Sequence, residues 1–331
     1  MACELMLKNK NGKLTLPPPH LVFSRYKKLK IMGNAQYSMT FINIENLLGY
    51  NSINQVTFYS CDPLHNLSFN KTVTRLEFYS CIIDNISFVG ELPNLQYLTL
   101  ANPPHILDLD PLRGNTSIRN LEITYMNLED ITFLRGNSTL TELDLSSNNL
   151  VDVSVLSSCS SLKKLQLQKN GIEDVSHLAL LPHLETLNIS DNNIEDISDV
   201  VECNLKRLFC GRNKISDMTC FFNNSSICHV AINGNPVSLD AQSLVLHQCS
   251  LNAINESKRL CTLFDILVHI LEDRDGYISW YSWAQYHTDD CKHMYGHYLC
   301  ENDPNELYRK FEMEDLLNKF SHESLRKTIH Y

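Results

Sequence analysis

Residues 162–178 read LKKLQLQKNGIEDVSHL, and residues 184–200 read LETLNISDNNIEDISDV. The two stretches share one frame, L-x-x-L-x-L-x-x-N-x-I-x-D-I/V-x-x-L/V, at an offset of 22 residues. A preceding copy runs through Leu140, Leu143, Leu145, Asn148, Leu150, Val153 and Leu156. Looser copies follow through Leu205, Leu208, Cys210 and Asn213, then through Ile227, Val230, Ile232 and Asn235. Toward the N-terminus the apolar frame returns at Ile118, Leu121 and Ile123, at Leu95, Leu98 and Leu100, at Val73, Leu76 and Phe78, at Ile53, Val56 and Phe58, and first at Leu29 and Ile31. About ten copies result, the early ones degenerate. A unit this short cannot enclose a core of its own, so neighbouring copies must stack and share one.

This spacing is the leucine-rich-repeat pattern, and it predicts an α/β solenoid. Each L-x-x-L-x-L segment supplies a short parallel strand, and the apolar residues behind it supply a short 3-10 or irregular arm. The strands form a curved sheet on the concave side and the arms cover the convex side. With strands about 4.8 Å apart, ten of them extend about 45 Å. The asparagine after each strand sits where ladder pairing stops and can bond the turn backbone, so Asn148, Asn170, Asn192, Asn213 and Asn235 are expected to form an internal ladder. Cys61 and Cys81 take the same corner in earlier copies, whereas Pro103 and Met126 interrupt it, which predicts looser turns there.

The repeats imply residues 26–236 as the solenoid, 1–25 as an N-terminal lead or cap containing Pro17, Pro18 and Pro19, and 237–331 as a C-terminal cap and mainly helical tail. Helical spacing is expected over Leu239 to Leu246, through Leu260, Phe264, Leu267, Val268 and Leu271, and from Pro304 to Phe320. An aromatic-rich stretch, Tyr277 to Tyr298, separates the last two. The formal charge over 331 residues is −10, which disfavours nucleic acid as a partner and favours a cationic or mixed-charge protein. No stretch is apolar enough to span a bilayer, and the first residues lack the basic start and long apolar run of a secretory signal. An intracellular location, cytoplasmic or nuclear, is therefore expected. The 12 cysteines are expected to be free thiols, since Cys61, Cys81 and Cys210 occupy buried repeat positions. Sequons such as Asn66, Asn85, Asn137 and Asn188 are read as composition rather than as glycan sites.

Motifs that would carry chemistry are sparse. Asp273, Asp275, Gly276 and Ile278 match the middle of an EF-hand loop, but its first and twelfth positions hold Leu271 and Ser282, so the principal calcium ligands are missing. Cys291, His293, His297 and Cys300 are soft ligands at a spacing too compact for a common zinc finger. No phosphate-binding glycine loop, nucleophile elbow or H-E-x-x-H is present, and only 11 residues are glycine. A non-enzyme without a cofactor is expected, with a metal-binding tail module as the reading of another class.

Side chains alternate along a strand, so the residues between the leucines should line the open face. Arg75, Glu77, Tyr97, Glu122, Glu142, Asp144, Lys164, Gln166, Asn188, Arg207, Phe209 and His229 are the expected partner contacts on it. Glu77, Glu122, Glu142 and Asp144 make an acidic middle; Lys164, Lys169, Arg207 and Arg212 make the following part basic, with Tyr97, Tyr125 and Phe209 as aromatic anchors.

The copies at residues 162–178 and 184–200 also resemble the 22-residue subclass found in the leucine-rich regulatory subunit of protein phosphatase 1 and in related ciliary and nuclear proteins. In that subclass the arm is a short 3-10 turn, which Asp174 and Asp196 are placed to cap. The resemblance implies a folded protein partner on the concave strands, with a phosphatase catalytic subunit as its most concrete form. A structural role in a cilium or the cytoskeleton is the alternative.

Overall fold

The computed structural model describes residues 3–8, 13–22, 25–33, 40–42, 44–61, 64–103, 107–238, 241–246, 248–249 and 252. The chain divides into two compact units, Met1–Leu205 and Lys206–Tyr331. The expected helices and the calcium- and zinc-like motifs beyond residue 252 lie outside the described residues.

In the first unit every copy of the frame supplies a parallel strand, and one further strand precedes them. These are β1 (Cys3–Lys8), β3 (Tyr26–Met32), β5 (Gln55–Tyr59), β6 (Arg75–Tyr79), β7 (Tyr97–Ala101), β8 (Asn120–Thr124), β9 (Glu142–Asp144), β10 (Lys164–Gln166) and β11 (Thr186–Asn188), and they lie side by side in that order. Two further strands, β2 (Lys13–Thr15) and β4 (Thr40–Ile42), pair apart from them. The register follows the repeat: Val56, Leu76, Leu98, Leu121, Leu143, Leu165 and Leu187 are successive cross-strand partners. All of them are buried, because a one-residue slip would turn every one outward.

Behind the strands run 3-10 turns at Ser87–Glu91, Asp110–Leu112, Thr132–Leu134, Ser154–Ser158 and Ser176–Leu180, and a single α turn at Ser198–Val201. A short polar side chain two residues before each accepted N–H starts the turn. Asp174 accepts the Ser176 N–H at 2.8 Å and Asp196 the Ser198 N–H at 2.9 Å, as expected. Asn85, Asp108, Asp130 and Asp152 do the same in other copies. The early, irregular copies fill their interior with aromatic rings: Phe58 stacks on Phe78 at 5.0 Å, and Phe69 and Phe88 meet edge-on at 5.2 Å.

The corner ladder forms. Asn192 donates to the carbonyls of Leu167 in the preceding copy and Ile189 in its own, both at 3.0 Å, and accepts the Ile172 N–H at 3.1 Å. Asn148 and Asn170 repeat the pattern. Cys61 and Cys81 supply a sulfur version, their thiols donating to the carbonyls of Tyr59 and Tyr79 at 3.3 Å. The turn at Met126 is not loose. Met126 is buried, and its N–H donates at 3.0 Å to Asn148 of the next copy. Before Pro103 the Asn102 N–H donates to the Thr124 carbonyl at 2.8 Å, and residues 104–106 lie outside the described residues. The residue before each corner is left-handed without being glycine, at Ser60, Ser80, Asn102, Tyr125, Ser147, Lys169 and Asp191, with φ between 48 and 57°. In the first of these turns Gly33 is required by close approach, since a Cβ there would stand 2.0 Å from the Ser60 carbonyl oxygen.

The proline-containing lead was expected only to enter or cap the first repeat. It also contributes β1, whose Leu5 and Leu7 pair with Leu29 and Ile31 and so extend the sheet by one strand. A single apolar alternation, without the following corner residue, gave the sequence too little signal to mark it.

In the second unit β12 (Arg207–Phe209) and β13 (His229–Ala231) pair in parallel, with Leu208 opposite Val230. Asn235 continues the ladder, accepting the N–H groups of Asn213 and Ile215 at 3.2 Å. Residues 241–246 are helical, within the expected 239–246 span, and bury Val245 and Leu246. Asn252 anchors the last described turn by donating to the carbonyls of Ile227 and Asn224.

Asn192→Ala removes both donors and the acceptor at a buried corner and is expected to lower unfolding free energy by about 1 to 3 kcal/mol in urea titration. The arm caps set an acid limit. Bonds from the Ser154 N–H and hydroxyl hold Asp152 below its ordinary 3.8, and the hydroxyls, then the N–H groups, of Ser176 and Ser198 do so for Asp174 and Asp196. Carboxyls lowered in the folded state stabilise it fully above the unfolded value, and that contribution is lost as pH falls through the folded one. Thermal melts below pH 4 should therefore fall less steeply for the triple variant with asparagine at 152, 174 and 196 than for the wild type.

Candidate partner-binding face

The outward residues of β5 to β11 form two principal rows. Gln55, Arg75, Tyr97, Asn120, Glu142, Lys164 and Thr186 are in register, as are Thr57, Glu77, Thr99, Glu122, Asp144, Gln166 and Asn188. Strand pairing alone places them, one side chain per copy.

Local bonds then fix their orientation. The Arg75 guanidinium lies 3.9 Å from the Tyr97 ring centroid and donates to Glu77 at 3.1 Å. Thr57 donates to the other Glu77 oxygen at 2.7 Å, and Thr99 donates to Glu122 at 3.3 Å. In a third row Tyr59 and Tyr79 stack at 5.0 Å, and the row then drops to Ala101 on the next strand. Beside that step opens a hollow of about 380 Å³. Arg75, Glu77, Tyr97, Glu122, Glu142, Asp144, Lys164 and Gln166 line it, so eight of the twelve expected contacts come together.

Tyr79 also lines the hollow and was not among the expected contacts, whereas Thr99 and Asn120 line it from the outward strand positions expected to do so. The recurrence of Tyr59 and Tyr79 at one repeat position was the available signal for the latter. Asn188 is buried and accepts the Ser190 N–H at 3.1 Å, as Asp144 accepts the Ser146 N–H at 2.9 Å in its own copy. Tyr125, Lys169 and Arg212 take the left-handed corner, with φ of 56, 57 and 53°. Arg207, Phe209 and His229 lie on the paired strands of the second unit, Arg207 opposite His229.

The hollow is acidic. Arg75 and Lys164 stand against Glu77, Glu122, Glu142 and Asp144, and only the Arg75–Glu77 pair closes. No cation among the described residues forms an ion pair with Glu122, Glu142 or Asp144. Burial, and then the neighbouring Asp144 carboxylate, push the Glu122 carboxyl above its ordinary 4.5. The Gln166 side-chain oxygen is buried there without a hydrogen-bond partner. Such a surface is set to receive donors and positive charge.

Strand, corner asparagine and capped arm, repeated in register, give the first unit a leucine-rich-repeat fold. The family model for leucine-rich repeats matches two overlapping stretches, residues 138–180 and 160–202. No curated protein matches the chain in sequence. Among solved structures, an internalin (inlF) from Listeria monocytogenes is similar at 23% identity and a TM-score of 0.55, over 70% of this chain and 71% of that one. The protein in a TLR13–ssRNA13 complex is similar at 18% identity and a TM-score of 0.50, over 63% of this chain and 33% of that one. At these identities the likeness is one of fold.

Because the Glu122 carboxyl is raised in the folded state, its ionisation costs stability as pH rises past the unfolded value. Glu122→Gln keeps the acceptor for Thr99 and is expected to raise the melting temperature at pH 7 while leaving it unchanged near pH 3, as calorimetry at the two pH values would show.

Proposed function

We propose that the protein is a non-catalytic scaffold that binds another protein across the open sheet face of its first unit. The observation that carries this reading is the hollow beside the Tyr79-to-Ala101 step, where orienting bonds hold an acidic lining with two uncompensated negative charges. Ordered side chains lose little entropy when a partner docks, and the excess of carboxylates selects a partner that presents lysine or arginine there. Tyr97, already fixed under Arg75, offers a rigid aromatic contact of the kind that concentrates binding energy.

The more specific form of the proposal is a protein phosphatase catalytic subunit as the partner, inside the cell. Support comes from the 22-residue repeat subclass at residues 162–200 and from the buried thiols at Cys61 and Cys81, which suit a reducing compartment.

Affinity capture with the full chain tests both levels. The double variant Glu142→Lys with Asp144→Lys reverses the charge of two lining residues without touching the core, and partner recovery should fall at least about tenfold. Undiminished recovery would reject the face. Phosphatase activity in the wild-type eluate, lost with the variant, would support the specific form; its absence from a partner-loaded eluate would reject that form alone.

A further inference from the structure

Strand β1 ends the sheet of the first unit, paired with β3 on one side and, among the described residues, with nothing on the other. Its inward side chains continue the core column only partway. Leu29 and Ile31 on β3 are fully buried, whereas their partners Leu5 and Leu7 are only partly buried, and Met6 on the outer face is 45% exposed. An edge of this kind is a template for another strand.

The pattern of the edge restricts which strand fits. Residues 4–8 are Glu4, Leu5, Met6, Leu7 and Lys8. Reversed end to end, the segment keeps its apolar centre and exchanges its two opposite charges. We propose that β1 pairs antiparallel with β1 of a second copy of this chain, about a two-fold axis at Met6. In that register Glu4 of each copy faces Lys8 of the other, Leu5 faces Leu7 on the core side, and Met6 faces Met6.

The alternatives are worse on simple grounds. An in-register parallel pair sets Glu4 against Glu4 and Lys8 against Lys8, and like charges directly opposite are destabilising. It also cannot extend the sheet, since both copies offer the same free edge of β1, and two such edges meet with the same face forward only when the strands run in opposite directions. A one-residue slip puts leucines on the outer face and charges on the core side. Glu4 is already steadied by Lys30 at 3.2 Å, so it is held on the outer face where the facing Lys8 would arrive. The same charges that guard the edge against arbitrary strands thus admit one partner, the strand itself.

A single added strand pair is a small interface, so the dimer is expected to form between about 1 and 300 µM rather than to be permanent. Sedimentation velocity on the full chain across that range should show a reversible monomer–dimer equilibrium. Lys8→Glu, which leaves the Glu4–Lys30 pair intact, should weaken it at least about tenfold. The charge-swapped double variant, Glu4→Lys with Lys8→Glu, should restore dimerisation relative to Lys8→Glu alone. Circular dichroism melts of each variant confirm that the fold persists. A wild type that stays monomeric throughout, a dimer indifferent to Lys8→Glu, or a swap that fails to recover while its melt is unchanged would each overturn the proposal.

Discussion

A side-chain amide that bonds two neighbouring copies at once is the constraint on which the rest of the structure depends. At the end of each strand the chain must leave the sheet, and its backbone groups lose their ladder partners just where they are buried. Asn148, Asn170, Asn192 and Asn235 supply donors and an acceptor there, each joining its own turn to the copy before it. Leucine burial drives the stacking, but it is directionless. The corner amide sets the axial position of one copy on the next, so every outward residue arrives in a straight row.

That coupling explains how the repeats present an organised surface. Arg75, Glu77 and Tyr97 come from adjacent copies and meet only because the registers of β6 and β7 agree. Thr57 and Thr99 alternate with Glu77 and Glu122 along a single row, and each hydroxyl orients the acid beside it. The acidity of the hollow is therefore a property of the repeat spacing as much as of composition.

The legible part of the sequence was whatever the period repeats. Strand registers, the corner ladder, the arm caps at Asp174 and Asp196 and both outward rows follow from the spacing of leucine, asparagine and aspartate. Three kinds of feature did not follow. The strand β1 has apolar alternation but no corner residue behind it. The turn at Met126 is held by an amide one copy away, a non-local bond that no window on the sequence contains. Tyr125, Lys169 and Arg212 take a left-handed φ, which charge and aromaticity do not report.

Those left-handed corners carry a further consequence. Glycine would adopt φ near 50° freely, yet serine, asparagine, tyrosine, lysine and aspartate stand there instead, each at a conformational cost of about 1 kcal/mol or more. The stack tolerates the cost because the hydrogen bonds on either side leave the turn no other path. One backbone conformation, repeated from copy to copy, thus carries five different side-chain types in the first unit.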